Sequence, residues 1–255
     1  MGIYRTLVRE VTDLGPHLRR ITVGGPDLIG FLSDGPDQRI KLFLPPPGHA
    51  VATVPEFDDA SRWFPTLRAI PVESRPIIRT YTIRRVRPEL GEVDIDFVLH
   101  GDEGPASRWA SKARPGEVLA FYGPYADYEP TPGTSWQLIA GDSTALPAIG
   151  AILESMPAGT PARVFIENAE EQAFDTVGEV ELTWLRPGQS LAEAIRNANL
   201  PTGKPYVWIG GEAGSVKATR RHLVNERGVS RSDLYFCGYW RRGASESDAY
   251  AAYLD

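Results

Sequence analysis

The spacing of apolar residues in this chain changes rhythm once, near residue 130, and that change limits what the chain can fold into. Before it, apolar and polar side chains alternate, the period-2 signature of half-buried strands. Val93, Ile95, Phe97 and Leu99 fall on one face, Asp94, Asp96 and Val98 on the other. The pattern predicts strands over residues 4–11, 18–23, 39–44, 77–86, 92–99 and 117–122. Antiparallel strands separated by turn residues predict a six-stranded closed β-barrel, because closure removes exposed strand edges.

The barrel pattern is interrupted at residues 45–76 by an insertion that opens Pro45-Pro46-Pro47-Gly48. A short helix is expected over 58–68, carrying Trp63 and Phe64, in a segment that serves as a lid or as a plain surface loop. Residues 127–135, rich in Pro, Thr and Gly, read as a linker. Beyond them strands alternate with helices. Strands are expected at 136–140, 163–167, 179–185, 206–210 and 234–237. Helices are expected at 144–154, after the Ser190/Glu193 capping-box spacing, and at 215–227 before Gly228. Ile149, Ile152 and Leu153 form a buried stripe, and Pro147 falls in a first turn, where N–H groups lack helical partners. This rhythm predicts a small parallel α/β domain with its ligand crevice at the carboxyl ends of the strands. The expected division is a barrel over residues 1–126, an α/β domain over 135–243 and a tail over 244–255.

Composition narrows the function. The 255 residues carry a net charge of −6, which argues against a dedicated nucleic-acid binder. The single cysteine, Cys237, allows no internal disulfide and no cysteine-held cluster, and its apolar surroundings predict a buried, inert thiol. His17, His49, His100 and His222 are scattered without ligand spacing, so no metal site is expected. The start lacks the apolar core of a signal peptide, and no run approaches the ~18 apolar residues of a membrane span, so a soluble, cytoplasmic chain is expected. Gly2 fits the loose pattern for N-myristoylation; the plainer reading is that it precedes the first strand.

Several stretches carry chemistry. In Arg79-Thr80-Tyr81-Thr82 the arginine and tyrosine share a strand face. A guanidinium suits a diphosphate, and a tyrosine ring suits a flat heterocycle such as a flavin. Phe97-Val98-Leu99-His100-Gly101 runs on toward Gly104-Pro105-Ala106-Ser107, where Pro105 fits the first position of a helix whose N-terminus attracts phosphate. His100 reads as a hydrogen-bonding group beside a flavin, and Trp109 as core. Gly141-Asp142-Ser143-Thr144-Ala145-Leu146-Pro147 sits where a nucleotide-binding turn belongs, without the G-x-G-x-x-G fingerprint. Gly210-Gly211-Glu212-Ala213-Gly214-Ser215 forms the opposite side of the same crevice. Gly238-Tyr239-Trp240-Arg241-Arg242-Gly243 ends the last strand with aromatic and cationic side chains. Each stretch alone has a plainer reading: an exposed arginine, an ordinary helix start, a glycine needed for its backbone angles, a solvated strand end.

Taken in order, Arg-Thr-Tyr-Thr, Asp-Phe-Val-Leu-His-Gly, Gly-Pro-Ala-Ser-x-Trp, Gly-Asp-x-Thr-Ala-Leu-Pro-Ala, Gly-Gly-Glu-Ala and Gly-Tyr-Trp-Arg-Arg-Gly resemble the siderophore-interacting proteins. These are flavin-dependent ferric-siderophore reductases within the ferredoxin–NADP reductase superfamily. The resemblance implies an FAD-binding barrel followed by a nicotinamide-nucleotide domain. It implies Arg79, Thr80, Tyr81 and Thr82 at the flavin, with Tyr81 and Thr82 nearest the reacting ring. Asp96, Phe97, Val98 and His100 would line the cofactor, and Gly104, Pro105, Ala106 and Ser107 its diphosphate. Asp142, Thr144 and Ala145 would lie at the cofactor junction, and Tyr239, Trp240, Arg241 and Arg242 near ring or substrate.

Electrons would pass from NADH or NADPH to siderophore-held Fe(III), whose hard oxygen ligands release Fe(II) more readily. An anionic chelate would meet Lys41, Arg84, Arg85, Arg241 and Arg242. Glu167, Glu170 and Glu171, after the second strand of the α/β domain, lean toward NADH by repelling a 2′-phosphate. A ferredoxin-like donor is a further candidate. Two rival expectations are a flavin or ferredoxin-type reductase with a protein partner, and a non-catalytic flavin or siderophore carrier.

Overall fold

The structure, a computed structural model, describes residues 2–56, 62–99 and 104–244. His100, the start of the expected 58–68 helix and the tail from residue 245 lie outside the described residues. The chain divides into two compact units, one within residues 2–34 and 38–126, the other of residues 35–37 and 127–244.

The first unit is a closed barrel of β1 (Gly2–Gly15), β2 (Leu18–Gly24), β3 (Arg39–Leu44), β4 (Ile77–Arg87), β5 (Glu92–Val98) and β6 (Val118–Tyr125), ordered β1-β2-β5-β4-β3-β6. Pairing of β6 with β1, from Gly2 opposite Gly123 to Leu7 opposite Val118, closes it. As alternation requires, Ile21, Val23, Val93, Ile95 and Phe97 point into one buried core. β1 runs past the expected residue 11 to Gly15, because Thr12 and Asp13 pair with Arg20 and Arg19 across a hairpin. The polar residues there carry no apolar alternation, so the strand pairing extends beyond the signal.

Helix α1 (Trp63–Ala69) lies in the insertion, where a helix is expected over 58–68. Trp63 and Leu67 pack with Phe43, Ile70, Ile78, Ala120 and Tyr122, on the strand faces turned away from the barrel core. The helix therefore covers the wall. Helix α2 (Pro105–Lys112) packs Ala106 and Ala110 into the core, and Ala113 beyond its end joins them; these small side chains let its backbone come close to the barrel.

The second unit is a parallel sheet of β7 (Trp136–Asp142), β8 (Pro161–Glu167), β9 (Glu179–Leu185), β10 (Pro205–Glu212) and β11 (Leu234–Trp240), ordered β11-β10-β7-β8-β9. Helix α3 (Leu146–Ser155) covers one face, and α4 (Leu191–Asn197) and α5 (Ala213–Asn225) cover the other. The expected helix start at 144 is a 3₁₀ turn, Ser143–Ala145, from which α3 continues with Pro147 in its first turn. Ser190 accepts from the Glu193 N–H at 3.2 Å and so caps α4. α5 begins at Ala213, two residues before the expected 215.

Residues 127–135 are tied to this unit. The backbone N–H groups of Asp127 and Tyr128 both donate to Asp37 Oδ1 at 3.0 Å, and Thr131 Oγ1 donates to Asp233. The expectation of a buried Cys237 is not met: it is only half-buried, because β11 is an edge strand whose side chains are covered from one side. No described helix is long and apolar enough to cross a membrane.

Candidate cofactor sites

In the barrel, Arg79 and Tyr81 have the strand parity of Ile77 and Ile83, which pack on the core; Thr80 and Thr82 have the opposite parity. The Tyr81 ring lies 4.4 Å from that of Phe97, and Phe97 lies 5.6 Å from Trp109 of α2. This aromatic tier fixes β4, β5 and α2 against one another. Phe97 itself is fully buried, so its ring backs Tyr81 and meets nothing outside the core. Arg79 Nη1 donates to the Ile78 carbonyl at 2.7 Å, and Lys41 Nζ donates to Thr80 Oγ1 across the β3–β4 pair at 2.6 Å. Thr82 is buried opposite Arg39.

Helix α2 opens beside this strand system. Its N-cap, Gly104, is extended (φ −97°, ψ 136°) and has no side chain to cap with; Pro105 follows, and the first turn holds no acidic residue. Ala106 and Ser107 are buried. First-turn N–H groups have no carbonyl partner within a helix, and the dipole makes that end positive. The donor set of guanidinium, helix N-terminus and aromatic ring fits a diphosphate joined to a planar ring, which is the chemistry of FAD.

Asp96, an expected cofactor residue, has its carboxylate held by Arg20 through bonds of 2.7 and 2.8 Å. Asp94 is likewise held by Arg87 at 2.8 and 2.6 Å and by Thr22 at 2.7 Å. Burial pulls the Asp94 pKa upward, but the hydrogen bonds from Arg87 and Thr22 and the charges of Arg87 and Arg20 outweigh it and hold the carboxyl below its usual range. Val98 closes β5, half-buried opposite Leu18. Arg84 lies within the register shift of β4 between Ile83 and Arg85; it is half-buried and Arg85 is exposed.

In the second unit the strand order reverses between β7 and β10, the place where open α/β sheets hold ligands. The two strands touch closely there: a Cβ on Gly141 would lie 2.6 Å from both Ala145 Cβ and the Gly210 carbonyl oxygen. Asp142 Oδ1 accepts from Thr144 N at 2.9 Å and Thr144 Oγ1 at 2.5 Å; its Oδ2 accepts from Glu212 N and Trp240 Nε1, each at 2.8 Å. Glu212 caps α5 by accepting from Ser215 N at 2.9 Å, and also accepts from Arg242 N at 3.3 Å. Burial alone would raise the Glu212 pKa; the backbone N–H groups of Ser215, Arg242 and Gly214 and the Arg242 charge reverse this and lower it.

Ala145 is fully buried and acts as packing, whereas Trp240, Arg241 and Arg242 are exposed. The half-buried Tyr239 ring lies 6.4 Å from Trp208. Glu167 Oε1 accepts from Gly188 N at 2.7 Å, and Glu170 offers its carbonyl to Asn168.

Sequence reasoning missed Asp37, 1% exposed, which accepts from two backbone N–H groups and from Trp208 Nε1 at 3.0 Å. No local motif marks it, since its partners lie 90 to 171 residues away. The cap formed by Glu212 had a signal, the three-residue spacing to Ser215 at a strand–helix junction.

A barrel whose Arg-x-Tyr strand is linked through Phe97 and Trp109 to a helix with a glycine N-cap, in one chain with a parallel nucleotide-type sheet, defines a flavoprotein class. Family comparison makes this specific. The model of the siderophore-interacting FAD-binding domain matches residues 7–128, and that of the siderophore-interacting protein matches residues 134–243. The chain belongs to the siderophore-interacting protein family. It is 35% identical over 240 residues to the ferric vibriobactin reductase ViuB of Vibrio cholerae, covering 90% of this chain and 86% of the relative. Among solved structures, the siderophore-interacting protein SipS from Aeromonas hydrophila superposes with a TM-score of 0.82 at 36% identity, covering 98% of this chain and 96% of that one. A siderophore utilization protein from T. fusca gives 0.82 at 33%, covering 96% and 94%.

Proposed function

We propose that this chain is an FAD-dependent reductase that passes electrons from a nicotinamide nucleotide to Fe(III) held by a siderophore, releasing Fe(II). The observation that carries the reading is the placement of Arg79 and Tyr81 on one strand face, locked through Phe97 and Trp109 to the helix that opens at Gly104. Residues 1–126 serve FAD, and residues 135–243 serve the nucleotide. The Arg79 guanidinium and the first-turn N–H groups around Ala106 and Ser107 hold the diphosphate. Tyr81 backs the ring, and the Thr82 hydroxyl offers a hydrogen bond at its edge. FAD, when bound, accepts electrons in pairs and gives them up singly, which matches a hydride donor to Fe(III).

Lys41, Arg84, Arg241 and Arg242 attract an anionic chelate. Glu167 keeps one carboxylate oxygen on Gly188 and presents negative charge at the end of β8, which favours NADH over NADPH. No observation favours a ferredoxin-like donor.

The test begins with the visible spectrum of the purified protein, followed by anaerobic NADH and NADPH titration. Ferric chelates are then added with an Fe(II) trap. Bleaching of the flavin by NADH and trapped Fe(II) with a ferric siderophore are expected. A protein that takes up no FAD, or a reduced flavin that leaves every ferric siderophore intact, sinks the reading.

A further inference from the structure

In dinucleotide-binding sheets the helix N-termini at the switch point receive the ligand's diphosphate on their backbone N–H groups. Here three backbone N–H groups at that place, those of Thr144, Glu212 and Ser215, are already bonded by this chain's own acids. Asp142 accepts from Thr144 N at the turn leading into α3, then reaches across the crevice to accept from Glu212 N at the entry to α5. The Trp240 indole N–H donates to the same oxygen. Glu212 occupies the first turn of α5 through Ser215 N. The Asp142 carboxylate is packed tightly as well as bonded: a Cβ on Gly211 would lie 2.7 Å from its Oδ2.

We propose that Asp142 and Glu212 fill the diphosphate seat of the α/β unit, so that a nicotinamide dinucleotide is held by its end groups and its diphosphate stays outside the switch point. A phosphate entering this place would displace carboxylates from N–H groups and would face their charge at short range. The exposed Arg241 and Arg242 side chains at the rim offer cationic charge in water, where screening makes it a weak substitute for backbone N–H groups. The proposal rests on the reading that a nicotinamide nucleotide is the donor.

The experiment compares adenosine with ADP-ribose, which adds the diphosphate and second ribose without a nicotinamide. Calorimetry on the flavin-loaded protein measures both for the unaltered chain and for Glu212→Gln, which keeps an acceptor for Ser215 N and removes the charge. The unaltered chain is expected to bind ADP-ribose within about threefold of adenosine, and Glu212→Gln to bind ADP-ribose at least about threefold tighter with adenosine unchanged. ADP-ribose bound more than about tenfold tighter than adenosine by the unaltered chain overturns the proposal. So does a Glu212→Gln protein, shown to be folded by its melting curve, whose ADP-ribose affinity does not rise. Asp142→Asn, if folded, should act in the same direction. Failure of both NADH and NADPH to reduce the flavin would remove the donor reading instead, and is read separately from these affinities.

Discussion

Helix α2 of the barrel and helix α5 of the α/β unit both pack on a sheet, yet their N-cap residues are chemically opposite. The N-cap of α2 is Gly104, which has no side chain, whereas the N-cap of α5 is Glu212, whose carboxylate accepts from Ser215 N and whose own N–H donates to Asp142. A side-chain cap is worth about 1 kcal/mol of stability. The Gly104 N-cap of α2 forgoes that contribution, and the Glu212 N-cap of α5 supplies it; under the readings proposed above, the first place is offered to an anion and the second is closed to phosphate. The lesson is that the residue at the N-cap decides whether a chain's own carboxylate bonds a helix's first turn.

That contrast can be broken in four ways, in falling order of effect. Asp142→Ala strips the acceptor from Thr144, Glu212 and Trp240 together. It should cost about 3 kcal/mol in the α/β unit, given about 1 kcal/mol per bond and more for donors left buried. Denaturant unfolding followed by tryptophan fluorescence measures it, and a loss under about 1 kcal/mol would show that the carboxylate does not tie the strand ends together.

The barrel has its own acids, but they are spent on the wall. Asp94→Asn should cost about 2 kcal/mol at neutral pH by weakening a largely buried pair with Arg87. Because the folded Asp94 pKa is lowered, its contribution is complete above the unfolded carboxylate value of about 3.9 and is lost as pH falls through the lower folded value. Melting curves of the two proteins should therefore converge below about pH 4; parallel curves down to the acid limit would contradict the pairing.

Arg79→Ala should weaken FAD binding between about tenfold and thirtyfold, roughly 1.5–2 kcal/mol for a charge-assisted contact. The flavin-to-protein ratio after gel filtration reports it, and full retention would remove Arg79 from the site. Gly104→Asp is the smallest and sharpest change, since it gives α2 the cap that α5 has. Titration should show FAD affinity falling about fivefold, near 1 kcal/mol, while the flavin-free protein melts no lower than before. Unchanged affinity would mean that the start of α2 plays no part in holding the diphosphate.

Much of the architecture was legible in the sequence because it is written in short-range periodicity. Val93, Ile95 and Phe97 announced β5 by alternation, and Ile149, Ile152 and Leu153 announced the buried face of α3. Pro105 and Ser190 marked helix starts for local backbone reasons. The ends of elements were less legible. β1 continues through Thr12 and Asp13 on hairpin pairing alone, and Cys237 was misjudged because nothing local reveals that its strand lies at a sheet edge. At the candidate sites, the commitments of individual side chains were not readable. Asp96 sits in the right motif with its carboxylate given to Arg20, and Phe97 is a buttress under Tyr81.

The amino-acid order by itself determined two architectures, a closed barrel and a parallel α/β sheet, since these follow from spacings of a few residues. Tertiary structure alone decided which acids are committed. The partners of Asp142 are 70 and 98 residues away at Glu212 and Trp240, and such contacts exist only after β7, β10 and β11 have come side by side. Hydrogen bonding is a property of distance in space, and nothing in the local chain encodes it for groups brought together by the sheet.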